Sequence, residues 1–185
     1  QSDTLQEGKV YNAVIGMDAS QVYNNLIPLT KAMEVDQLHI VANSFENIEA
    51  IKNRLPLYSY AVFNQKRPTT QGLQLTLENG NLQAIWYNSK SYASWPISHP
   101  YALQLGDDSS QLIMKLSQLA VQDSYRTIFE EIQLHTKSMK TDYDPIMHRS
   151  PMWYFAFVNA DGIHEEIQLY FKAGTLYQIV YNHRK

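Results

Sequence analysis

The chain has 185 residues, a net charge of −3 and no cysteine. Phosphate neutralisation needs clustered Lys and Arg, which are missing, so no nucleic-acid partner is expected. No apolar run of about eighteen residues offers a transmembrane helix, and disulfides, thiolate chemistry and cysteine-ligated zinc are excluded.

Gln1-Ser2-Asp3-Thr4 reads like the start of a mature exported protein, and the Tyr-, Asn- and Gln-rich composition suits a periplasmic or secreted domain. Residues 1–15 read as an N-terminal arm. Asp18 is a helix N-cap signal, followed by Val22, Leu26, Leu29 and Met33 at helical spacing. Pro28 is expected to end or kink that helix. A second helix is predicted from Phe45 to Arg54, with Ile48 and Ile51 inward. Asn79-Gly80 is a strong hairpin signal, because both turn residues need positive φ. A two-residue turn there pairs Leu77 with Leu82, Leu75 with Ala84 and Leu73 with Trp86 on the helix-facing side. Gln74, Thr76, Gln83, Ile85 and Tyr87 then face outward.

The connector 89–104 interleaves Tyr92, Trp95, His99 and Tyr101 with Pro96 and Pro100, which favour an extended path. Trp95 and Tyr101 read either as packing between two halves or as the aromatic edge of a binding surface. Asp108 is a second N-cap, followed by Leu112, Leu116 and Leu119. A further helix is predicted over Ser124 to Leu134, and Lys137–Pro151 reads as polar loop. Ala173-Gly174 is the second hairpin turn, with Ile167, Leu169, Phe171, Leu176 and Val180 inward and Gln168, Tyr170, Tyr177, Ile179 and Tyr181 outward.

These elements repeat. QLTLENGNLQAIWYN at 74–88 is answered by QLYFKAGTLYQIVYN at 168–182. Tyr60-Ala61-Val62-Phe63-Asn64 is answered by Phe155-Ala156-Phe157-Val158-Asn159, and Gly16 to Val22 by Gly106 to Leu112. Three blocks in one order mark a duplication. The expected organisation is a first α+β repeat at 16–88 and a second at 105–185, each with helices on one face of an antiparallel sheet.

Val14-Ile15-Gly16-Met17-Asp18-Ala19-Ser20-Gln21-Val22 resembles the opening of the beta-lactamase inhibitor protein family and of the small outer-membrane assembly lipoproteins (the SmpA/OmlA group). The hairpins Leu75–Tyr87 and Leu169–Tyr181 resemble that group's final strand pair. The resemblance implies an α+β tandem of two helix-helix plus antiparallel-sheet units. It also implies a concave surface that grips a partner enzyme through aromatic and His side chains. The chain departs from the pattern in having no cysteine pairs, no N-terminal cysteine, and Gly106-Asp107 in place of Gly-Met.

No catalytic pattern is found. The histidines form no HExxH, the serines no GxSxG or SxxK with a partner, and the glycines no phosphate loop. The expectation is a non-enzymatic module without cofactor or metal, binding a protein outside the cytoplasm as an inhibitor of an enzyme or an immunity protein against a toxin. An envelope assembly factor and a glycan- or small-molecule-binding domain are the alternatives. The outward residues Ile85, Tyr87, Tyr170, Tyr177, Ile179 and Tyr181, with Trp95 and Tyr101, are the candidate contact residues.

Overall fold

The structure is a computed structural model that describes residues 1–66 and 72–184. The remaining part of the first repeat, 67–71, lies outside the described residues. The first strands are β1 (Ser2–Leu5), β2 (Lys9–Val10), β3 (Ala13–Val14), β4 (Gln37–Ile40), β5 (Ser44–Phe45), β6 (Tyr58–Asn64), β7 (Leu73–Glu78) and β8 (Asn81–Tyr87). They are followed by β9 (Lys90–Tyr92), β10 (Ser94–Trp95), β11 (Leu103–Gln104), β12 (Glu131–Ser138), β13 (Met152–Val158), β14 (His164–Lys172) and β15 (Thr175–Arg184). The α-helices are α1 (Ala19–Ala32), α2 (Ile48–Ile51) and α3 (Ser109–Ala120).

Strand accounts for 43% and helix for 23%, with three α-helices among the described residues, so the protein is mostly β. The expected α+β tandem of helix-helix units is overturned. The second helix of each repeat fails for a local reason. In the first repeat it shrinks to the four residues of α2 and a 3-10 turn at Leu55–Leu57. In the second, only a 3-10 turn forms at Arg126–Phe129, and the chain then becomes β12. There Ile132, Leu134 and Thr136 are buried and alternate with half-buried Glu131, Gln133 and His135. That is a two-residue period, which a helix cannot bury on one face.

Both long helices start where the sequence places them. The Asp18 carboxylate accepts from the Ser20 amide at 3.1 Å, and Asp108 and Gln111 close a reciprocal capping box. α1 runs on past Pro28 to Ala32. Pro28 and Asn24, whose carbonyl loses its helical donor, both lie on the exposed side, where water can serve that oxygen.

The chain folds into two compact units, but not at the boundaries the repeat suggests. One unit is Ser44–Thr136; the other joins Gln1–Asn43 to Lys137–Lys185. Each unit therefore combines the long helix of one repeat with the hairpin of the other. In the joined unit the Gly16 amide donates to Leu176 O at 2.8 Å and the Leu176 amide to Met17 O at 2.9 Å. In the unit Ser44–Thr136 the Gly106 amide donates to Leu82 O at 2.8 Å and the Leu82 amide to Asp107 O at 2.9 Å. The same two bonds, at equivalent residues, seat helix on hairpin in both.

In the joined unit the strands pair antiparallel in the order β1-β15-β14-β13-β4. One face packs on α1: Val22, Tyr23 and Leu26 share a core with Leu38, Ile40, Trp153, Phe155, Ile167, Leu169 and Ile179. In the unit Ser44–Thr136 the order is β12-β6-β7-β8-β9, with β5 pairing β12. Its core includes Ile51, Leu55, Phe63, Leu73, Leu75, Ile85, Leu112, Leu116 and Leu119.

Both hairpin turns form as read, with Asn79-Gly80 and Ala173-Gly174 all at positive φ. The register does not stay as simple pairing would have it. A β-bulge moves the β7–β8 ladder by one residue after Leu77–Leu82, so that Leu75 faces Ile85 and Leu73 faces Tyr87. The β14–β15 ladder shifts at the equivalent place, putting Leu169 opposite Ile179 and Ile167 opposite Tyr181. One extra residue, Gln83 or Tyr177, exchanges the faces of everything beyond it.

Candidate functional site

The bulges redistribute the predicted contact residues. Ile85 and Ile179 are fully buried core residues, not outward ones. Tyr87 and Tyr181 lie opposite Leu73 and Ile167, on the helix-facing side, and are half-buried. Val180, expected inside, turns to the other face opposite Gln168. Trp95 is buried, its ring 4.7 Å from that of Tyr87 and 5.5 Å from that of Tyr125. Tyr101 is half-buried beside His99, whose Nδ1 accepts the Tyr101 amide at 3.0 Å. The aromatic connector is packing. Of the predicted set Tyr177 is exposed, at 41% beside the bulge, and Tyr170 lies half-buried on the open face opposite Met152 and Gln178.

The open faces carry other side chains. In the unit Ser44–Thr136, Val62, Gln74, Trp86 and Ser91 form one row across β6 to β9, and Tyr60, Thr76 and Ala84 form the next. Trp86 is 43% exposed, because the bulge turns it outward in place of Ile85. The His135 ring lies 6.1 Å from that of Tyr60. In the joined unit, Val180, Gln168, Tyr154 and His39 form a row from β15 to β4. His39 stacks on Tyr154 at 4.7 Å. Tyr170 donates to Gln168 at 2.8 Å, and Gln168 and Asn182 both donate to Glu166. Burial pushes the His39 imidazole down and the Tyr60 phenol up. Sequence reasoning missed the two His–Tyr pairs. The signal was present: Gln37-Leu38-His39 and Gln133-Leu134-His135 are the same three consecutive letters.

A second concentration of chemistry lies on the helix-facing side of the joined unit. Glu165, 6% exposed, is the second residue of β14. Tyr181 donates to its Oε2, Tyr11 donates to the same oxygen at 3.2 Å, and Asn159 donates to Oε1. Burial would raise this carboxyl, but the hydrogen bonds from Tyr181, Asn159 and Tyr11, with His183 nearby, hold it below the usual range. Burial and the bond to Glu165 push the Tyr181 phenol up. Tyr11 comes from the turn between β2 and β3, where its φ is +50°. Its ring meets Phe157 at 6.2 Å and Tyr181 at 6.3 Å, both edge-on. Asn159 is fixed in turn by accepting the amides of Asp161 and Ile163 at 2.9 and 3.1 Å.

Among the described residues, no cluster of three or more His, Asp or Glu side chains is placed to hold a metal ion, and no helix is long and apolar enough to cross a membrane. No family model, no curated protein and no solved structure matches this chain.

Proposed function

We propose that this chain is a protein-binding module that uses the open face of a sheet, acting outside the cytoplasm as an inhibitor or neutralising partner of an enzyme or toxin. One observation carries the reading. Trp86 stands 43% exposed on the open face of the unit Ser44–Thr136, in a field of half-buried Tyr60, Val62, Gln74 and His135. A large aromatic ring held on a rigid strand loses little entropy on binding, and such residues dominate interface energetics. The resemblance of Gly16–Val22 to the inhibitor family supports the reading, since those proteins grip their targets with aromatic and His side chains. It rests on the short helix opening and the closing hairpins.

The test is co-purification from envelope extract followed by calorimetric titration of the captured protein. Trp86→Ala should weaken binding by about 2 kcal/mol, as a central aromatic anchor does, with circular dichroism unchanged. Ile85→Val, one residue away but buried, should leave affinity unchanged. Equal affinity for Trp86→Ala and the parent would remove this face as the contact surface. Capture of a glycan in place of a protein would favour the carbohydrate alternative.

A further inference from the structure

The Glu165 cluster is on the opposite side of its sheet from the open face and has no part in the reading above. Its carboxylate is almost wholly buried, yet it is held ionised. Among the described residues no Lys or Arg pairs with it: its partners are two phenols and an amide. His183, directly opposite it on β15, is its cationic neighbour among the described residues, and Asp3 shares that imidazole at 3.9 Å. Buried charges are ordinarily paired with a full cation, and a carboxylate that has only neutral donors and a shared histidine can still take one. The Tyr11 ring stands edge-on to those of Phe157 and Tyr181, and the face of an aromatic ring attracts a cation.

Tyr11 is the wall that can move. It is 36% exposed and sits at the tip of a hairpin with two residues in each strand. Its left-handed φ of +50° is unfavourable for a bulky side chain. Its bond to Glu165, at 3.2 Å, is long for a phenol donating to a carboxylate. A cavity of about 340 Å³, lined by Tyr11 itself with Lys9, Asn12, Val14, Asn24, Asn25 and Pro28, gives the ring somewhere to go.

We propose that Glu165 is the anion of a binding site for a primary alkylammonium ion, and that Tyr11 is its lid. The ammonium takes the place of the Tyr11 hydroxyl, donates to Glu165 and the Tyr181 oxygen, and rests its methylenes on Phe157. A free amine and a lysine side chain share this chemistry, and the experiment separates them.

The full chain is titrated at pH 7 and constant ionic strength with n-butylammonium chloride, followed by NMR, with N-acetyl-lysine methylamide in a second arm and 1-pentanol in a third. The site predicts saturable shifts for n-butylammonium centred on Phe157 and Tyr181, and none for 1-pentanol. Glu165→Gln, which keeps shape and loses charge, should weaken binding at least tenfold. Tyr11→Ala should strengthen it severalfold. Saturation by the lysine derivative assigns the site to peptide side chains; saturation by n-butylammonium alone assigns it to small amines. Unsaturable shifts, equal binding of 1-pentanol, or unchanged affinity in Glu165→Gln would overturn the site. Weaker binding in Tyr11→Ala would overturn the lid. The 1-pentanol arm decides on the parent protein if a variant does not fold.

Discussion

Where the first repeat has Met17 the second has Asp107, and the neighbour eight residues on changes with it. Asn25 donates to the Met17 sulfur at 3.4 Å; its counterpart Lys115 reaches Asp107 Oδ2 at 2.7 Å. Asp107 is 6% exposed and also accepts the Gln104 amide at 2.8 Å, so its charge is sheltered from water. One geometric pair is thus built twice, once neutral and once ionic. The two versions respond differently to truncation. Lys115→Ala leaves a buried carboxylate without its cation and should cost about 3–5 kcal/mol. Transplanting the neutral pair, Asp107→Met with Lys115→Asn, should return stability to within about 1.5 kcal/mol of the parent, the range for well-matched replacements. Urea denaturation of the single and double variants checks both. A double variant as unstable as the single would mean that Asp107 is held by its backbone contact more than by its charge.

The bulges at Gln83 and Tyr177 decide which aromatic residues reach the surface. Deleting Gln83 removes only the bulge: Ala84, Ile85, Trp86 and Tyr87 keep their places opposite Thr76, Leu75, Gln74 and Leu73, so Ile85 stays inside and Trp86 outside. The single deletion should therefore stay within about 1 kcal/mol of the parent, whereas deleting Gln83 and Ala84 together, which turns Ile85 out and Trp86 in, should destabilise by about 3 kcal/mol or more, as loss of a core side chain does, and thermal melting measures both. Equal stability of the two deletions would show that the strand slips without cost. The bulge is also where sequence reasoning reaches its limit. Asp18, Asp108, Asn79-Gly80 and Ala173-Gly174 act through residues one to three apart, so their letters suffice. Nothing in Gln83 or Tyr177 marks an inserted residue, and every inward or outward assignment beyond the bulge reverses. Glu131–Ser138 was unreadable as strand for a different reason. Ile128, Phe129 and Ile132 stand at helical spacing, although the first two belong to a 3-10 turn and Ile132 to the strand itself. The candidate site suffered most: Ile85 and Ile179 are repeated because the core needs them, whereas the repeated His39 and His135 stand on the open faces. Tyr11 could not be linked to Glu165, because that contact closes only when distant segments fold together.

The duplicated letters show which residues correspond, but not whose helix covers whose hairpin, and the protein crosses them. One result is an uneven distribution of buried ionisable groups. Among the described residues, the unit joining Gln1–Asn43 to Lys137–Lys185 holds most of the displaced titrations. Lys137 is fully buried, its Nζ donating to Tyr23 at 3.0 Å and to the carbonyl of Ser138 at 3.0 Å, and burial lowers it to about 8. Burial pushes Tyr143 up to about 12 and raises Tyr23, Tyr181 and Tyr11. His39 is lowered by burial, and Glu165 and Asp18 by their hydrogen bonds. The signs then fix a stability profile. Below about pH 6.5 the unfolded chain protonates His39 more readily than the native state does, so stability falls with acidification. It falls further below about pH 4.5, as the unfolded carboxyls take protons that Glu165 and Asp18 resist. Between about 8 and 10.5 the unfolded chain keeps the Lys137 proton and the native state loses it, so stability rises with pH. Above about pH 10 the unfolded tyrosines ionise first, and stability falls again. The maximum should therefore lie at mildly alkaline pH, near 9 to 10. Chemical denaturation followed by fluorescence of Trp153, in a variant with Trp86 and Trp95 replaced by Phe, measures the profile in this unit. Lys137→Met should abolish the rise between pH 8 and 10 and add up to about 3 kcal/mol at pH 7, where a charged ammonium no longer has to be buried. A parent profile flat between pH 7 and 10 would show that its carbonyl and phenol partners compensate the buried ammonium fully.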